Sequence, residues 1–190
     1  SGAGIVAISF ALAVGQFVWG AIQPLFGILA DRVGAFRVLV LGALLLALGL
    51  AATPFVSTGL GLTVALGVVT AAGAGAGSFG LLLGSAAHRL PASRRAFASG
   101  FINAGGSIGQ FAFAPISQAL IATAGWMASL WMLAVAALAT IPMALGFREG
   151  REGPGASPID GGPGLAAQLR IAFADRSYWL LHAGFFTCGF

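Results

Sequence analysis

GILADRVGAFR, residues 27–37, sets an acid, Asp31, between glycines and arginines at the end of a run of thirty uncharged residues. Reading outward from it, charge returns only in clusters. The nine basic residues are all arginine, at positions 32, 37, 89, 94, 95, 148, 151, 170 and 176, and the five acids stand at 31, 149, 152, 160 and 175. With 58% hydrophobic and 7% charged residues, against roughly a quarter charged in a soluble domain, the chain has too little polar surface to cover a globule. It reads as an all-α integral membrane protein.

The uncharged stretches 1–30, 38–88 and 96–147 hold one, two and two membrane spans, because a helix needs about 20 residues to cross the hydrocarbon. The second breaks at TPFVSTG (53–59) and the third at ATAGW (122–126), where Pro and Gly punctuate the run. The expected spans are therefore 5–30, 38–52, 60–87, 97–122 and 126–147. Both internal turns are uncharged, which puts every arginine on one face of the bilayer; the positive-inside rule makes that face cytoplasmic. The opening lacks an initiator Met, a basic n-region and a cleavage site, so it is read as the interior of a longer chain rather than as a signal peptide. An odd number of spans, most simply one, is expected before Ser1.

Residues 148–176 form a Gly-, Pro- and Ser-rich linker separating an amino-terminal bundle, 1–147, from the start of a further span at 177–190. Within the linker, Leu165, Leu169, Ala172 and Phe173 share one helical face, fitting either an interfacial helix or a solvated one. The net charge of +4 flanks hydrophobic spans without aromatic interleaving, so a nucleic-acid partner is not expected. The lone Cys188 allows no internal disulfide. No catalytic group, metal cluster or cofactor motif stands out; the GxGxxG pattern of Gly75, Gly77 and Gly80 lies inside an apolar span rather than after a soluble strand. His88 and His182 are read as interfacial residues, not proton relays, and Trp residues at span ends as headgroup anchors.

Two features concern helix contacts. Gly73, Gly77, Gly80 and Gly84 bring small residues to four-residue spacing, which allows close helix packing in lipid. Ser99, Asn103, Gly106, Gln110 and Ser117 form a polar stripe along the fourth span, in which Pro115 permits a kink, and Gln16 and Gln23 repeat the seven-residue step in the first. An amide in hydrocarbon needs a partner, so these residues serve either as interhelical bonds or as the lining of a water-filled cavity.

Asp31 lies where the helix dipole disfavours an acid, and Arg32 where it favours a base. The acid is expected to accept hydrogen bonds from a neighbouring helix amino terminus or to pair with Arg37 or an arginine of the 89–95 cluster. Gly27 would let another backbone approach, and Gly34 would permit a tight reversal. Gly27, Leu29, Ala30, Asp31, Arg32, Gly34 and Arg37 resemble the G-x-L-A-D-R-x-G-x-[RK]-[RK] loop of the major facilitator superfamily, with Phe36 in place of one basic residue. The resemblance implies a partial major facilitator fold: about five complete transmembrane helices plus the start of another. Residues 94–126 and 176–190 also look like those of bacterial monocarboxylate transporters and oxalate/formate antiporters.

What the resemblance implies is a secondary transporter in the cell membrane that moves a small organic anion by alternating access, with a coupling proton or an exchanged anion as its second partner. Gly27, Asp31, Arg32, Gly34 and Arg37 would form a cytoplasmic gate, and Gln16, Gln23, Asn103 and Gln110 the candidate cavity lining. Efflux of lipophilic compounds and a non-transporting sensor on the same scaffold are the alternatives.

Overall fold

Long apolar runs satisfy their backbone most cheaply as helices when no water is at hand, and five such helices account for most of the chain. The computed structural model describes residues 4–78, 81–82, 91–145, 170–171 and 173–180, in two compact units, Ser1–Arg151 and Glu152–Phe190. In the first unit, α1 spans Ile5–Val33 and α2 spans Ala35–Ala52, which runs on through a 3-10 turn at Thr53–Phe55. The third helix, α3, covers Gly59–Ala76, α4 covers Ala92–Ala124 and α5 covers Trp126–Ala144. None of α1, α2, α4 or α5 carries a side-chain cap, so length and apolarity rather than end chemistry hold them.

Among the described residues four helices, α1, α2 with its 3-10 turn, α3 and α5, are long and apolar enough to cross a membrane. At 33 residues α4 is longer than any of these, but its Ser, Asn and Gln dilute its apolar character. A helix covers the described part of each expected span, with shifted ends, though α4 falls short of the apolarity of the other four. Helix α1 continues three residues further than expected, so Asp31 and Arg32 lie inside its last turn. Helix α4 begins early enough to include Arg94 and Arg95. Beyond Ala76 most of the expected third span lies outside the described residues, as do residues 181–190 of the further span and nearly all of the linker.

Single glycines make two of the described helix junctions. Gly34, at φ 91°, donates its N–H to the Ala30 carbonyl at 2.9 Å, and its own carbonyl accepts from Val38 at 3.5 Å. Gly125, at φ 86°, bonds in the same way to Ile121 and Ser129, at 3.2 and 3.4 Å. One residue thus closes one helix and opens the next, in a conformation that a Cβ disfavours. No atom lies within 4 Å of where a Gly125 Cβ would stand, so the requirement there is conformational rather than spatial.

Helix α3 is held between α1 and α2 by backbone approach. A Cβ on Gly67 would stand 2.7 Å from the Ala11 carbonyl oxygen of α1, and one on Gly75 would run into Ile22 of the same helix. On the α2 side, a Cβ on Gly73 would stand 2.7 Å from the Gly42 carbonyl oxygen, and one on Gly49 2.8 Å from that of Ala65. Such closeness replaces side-chain interdigitation with dense van der Waals contact, the main attraction left between helices in lipid. The middle of α3, Thr63–Thr70, winds with π-helical pitch, and the Thr70 hydroxyl donates to the carbonyl of Ala65 five residues back, at 2.8 Å.

Two apolar clusters complete the packing. Phe26, Val38, Ala76 and Leu81 are buried beneath the α1–α2 junction, with Leu29, Ala30 and Ala35 against them. Ala47, Ala134 and Ala137 form the second, which joins α2 to α5. Helix α4 packs chiefly on α5, and none of its described side chains is buried.

Candidate functional site

The charged turn stands on the first of these clusters. Leu29 and Ala30 face inward onto Phe26 and Val38, and the next two positions of the helix, Asp31 and Arg32, are exposed. Gly34 then reverses the chain, so Arg37 returns to the surface in the first turn of α2, and Phe36 is half-buried. The motif is therefore a rigid hairpin tip presenting a carboxylate and two guanidinium groups. Among the described residues these three groups make no ion pair with one another, and no hydrogen bond to Asp31 is formed. Of the 89–95 cluster Arg89 lies outside the described residues, while Arg94 and Arg95 are exposed near the start of α4. Gly27 is half-buried, yet a Cβ there would meet nothing within 4 Å, so no backbone approaches it among the described residues.

Some hydroxyls turn back onto their own helices: Thr123 donates to the Ala119 carbonyl at 2.8 Å, Thr53 to that of Gly49 at 2.7 Å and Thr140 to that of Ala137 at 2.6 Å, whereas Ser99 and Ser117 of the stripe bond to no described residue. Ser107, one turn after Asn103, donates to the Asn103 carbonyl at 3.4 Å. An amide side chain carries two donors and an acceptor, more than one bond back to the helix can satisfy. Those of Gln16, Gln23, Asn103 and Gln110 bond to no described residue. Gln23 is half-buried and the other three are exposed. Asn103 and Gln110, seven residues apart on a continuous helix, lie on one face, with Gly106 between them and Ser99 and Ser117 half-buried beyond. Gln16 and Gln23 repeat that spacing on α1.

Of the glycines expected to mediate helix contact, Gly73 is pressed against α2, whereas a Cβ on Gly77 would touch only the Ala74 carbonyl oxygen, at 3.8 Å. Gly80 and Gly84 lie outside the described residues. The contacts at Gly42, Gly49, Gly67 and Gly75 were missed by a search for four-residue steps. A search for glycines spaced seven or eight apart on adjacent spans would have found both pairs. Between α2 and α5 lies a groove of about 470 Å³, lined by Ala47, Ala51, Phe55, Trp131, Ala134 and Leu138, with the Phe55 and Trp131 rings stacked at 6.3 Å. It holds no polar side chain that could orient a solute. Among the described residues no group of His, Cys, Asp or Glu is arranged to hold a metal ion.

Comparison with known proteins gives a match to the Major Facilitator Superfamily over residues 1–190. A search of the curated proteins finds no match.

Proposed function

Because the chain belongs to the Major Facilitator Superfamily, a family of membrane transporters, we propose that it is a secondary active transporter of a small organic anion, of the monocarboxylate type, working by alternating access. The observation that carries this reading is the set of amides on α4 and α1 without a hydrogen-bond partner among the described residues. An amide left unpaired in hydrocarbon costs several kcal/mol, roughly 2–7 by transfer scales, so the stripe belongs where water or a solute meets it. Amide N–H groups donate well to a carboxylate. No acid stands within residues 1–30, 38–88 or 96–147 to repel an anion or to attract a lipophilic cation. The likeness of residues 94–126 and 176–190 to monocarboxylate and oxalate/formate carriers points the same way.

In this scheme Asn103 and Gln110 line the solute path from α4, and Gln16 and Gln23 line it from α1. The hairpin of Gly27, Asp31, Arg32, Gly34 and Arg37 is a latch at the cytoplasmic face of the cell membrane, closing in one state and opening in the other. The second partner is a coupling proton or an exchanged anion. Residues 1–147 form the amino-terminal bundle and 148–176 the link to the next one.

The test is counterflow in proteoliposomes, with small monocarboxylates compared against lipophilic cations. Accumulation of labelled carboxylate, with none of the cation, is the expected result; the reverse pattern identifies an exporter of lipophilic compounds and removes the anion reading. Hydrogen bonds to a charged group contribute about 1.5–3 kcal/mol each, so Asn103→Ala with Gln110→Ala is expected to raise KM at least tenfold. Unchanged affinity in that double variant would assign the two amides to helix contacts.

A further inference from the structure

In the second unit, the described residues 170–171 and 173–180 form an elbow. One helical turn ends near Ala174, and Asp175 opens the next by accepting the Ser177 N–H at 2.8 Å. The corner is closed by rings. Phe173 meets Tyr178 edge-on at 5.6 Å and Trp179 at 5.5 Å, and Tyr178 and Trp179 stand 6.3 Å apart. Across the corner the Trp179 indole N–H donates to the Phe173 carbonyl at 2.9 Å.

Phe173 and Trp179 are exposed although their rings meet, and Tyr178 is half-buried. Phe173 is 51% exposed and Trp179 54%, with Ile171 and Leu180 more open still. Arg170 and Arg176 are exposed beside it, two guanidinium groups against the single carboxylate of Asp175, which the Ser177 N–H already engages. A soluble surface gains nothing from presenting four large apolar side chains in eleven residues. A bilayer boundary does gain, since indole and phenyl rings settle at headgroup level and guanidinium groups pair with phosphate. Two details fit that boundary. The indole N–H is satisfied internally, so the ring can leave water without stranding a donor, and the rings are already gathered, so little side-chain entropy is lost on insertion.

We propose that the elbow is a lipid anchor, with Phe173, Tyr178 and Trp179 in the headgroup and upper acyl layer and Arg170 and Arg176 on the phosphates of anionic lipid. The occupant is the membrane surface itself.

The test uses the protein in nanodiscs of phosphatidylcholine and phosphatidylglycerol, with Trp19, Trp126 and Trp131 replaced by phenylalanine so that Trp179 alone reports. Emission should be quenched more by lipids brominated near the headgroup than by those brominated near the chain end, and shielded from aqueous iodide. At equal mole fraction, brominated phosphatidylglycerol should quench more than brominated phosphatidylcholine. Arg170→Gln and Arg176→Gln should each reduce that preference by roughly fivefold, the scale of one basic residue at an anionic surface. Phe173→Ala should weaken quenching by both lipids. Free access of iodide without bromolipid quenching overturns the proposal. So does equal quenching by the two headgroups, and so does shielding from both quenchers, which would mean that protein covers the elbow.

Discussion

At Asp31 a carboxylate occupies the last turn of α1, at the negative end of the helix dipole, while Arg32 beside it has the sign that the dipole favours. A residue placed against its local electrostatics is retained for something outside the helix. In the transporter reading that something is the latch. Neutralising it alters the balance of the two access states without touching solute contacts. Asp31→Asn is therefore expected to lower turnover about tenfold, equivalent to about 1.4 kcal/mol of state preference, while KM and membrane insertion stay unchanged. Stopped-flow uptake into proteoliposomes at saturating solute reads the first, and flotation of membranes the second; wild-type turnover would exclude the latch. The motif's turn chemistry was legible in the sequence, because only glycine takes φ 91° without strain and Gly34 stands where the reversal is needed. The exposure of Asp31 was not, since a sequence gives the end of a span but not which side of its last turn faces outward.

At the scale of the element, α3 depends on which glycines meet a neighbour. Gly73 has the Gly42 carbonyl oxygen 2.7 Å from its missing Cβ, and Gly77, one turn on, is exposed with nothing closer than 3.8 Å. Gly73→Ala must push α2 and α3 apart, and overpacking of this kind costs about 1–3 kcal/mol. Gly77→Ala should be neutral or slightly stabilising, because alanine loses less backbone freedom on folding. Thermal unfolding in detergent separates them: a drop of several degrees for Gly73→Ala with none for Gly77→Ala is expected, and equal melting curves would remove the close-contact reading. Hydropathy revealed that these spans exist, yet it could not reveal their contacting faces. Four-residue steps presuppose α pitch, and nothing in TVALGVVT announces the π winding of Thr63–Thr70 that changes the phase of every later residue. Likewise the amide stripe of α4 was legible from its seven-residue step, whereas only the structure shows that Ser107 and Thr123 bond back to their own helix and that the amides do not.

For the whole molecule, the alternation of charged and uncharged turns gives an expected orientation, arginines on the cytoplasmic side, that labelling can read. Ser57 lies exposed in an uncharged turn and Ser93 is exposed beside Arg94 and Arg95. In a Cys188→Ser background, Ser57→Cys should react with an impermeant maleimide on intact cells, and Ser93→Cys only after permeabilisation; the opposite pattern inverts the topology. The alanine seam between α2 and α5 has a different kind of consequence. Ala47 and Ala134 share one cluster although roughly 90 residues separate them, and closing so long a loop forfeits chain entropy before any contact repays it. Helices α1 to α3 meet across shorter separations, from the single-residue junction at Gly34 to the contacts of Gly73 with Gly42 and of Gly67 with Ala11. The order of separations leads us to expect that α1 to α3 meet first and α5 docks along α2 last, an order that crosslinking of cysteines placed on α2 and α5 during synthesis would read. In the interval the alanine face of α2 is bare, and that is the moment when a membrane chaperone or protease has a partly built protein to act upon.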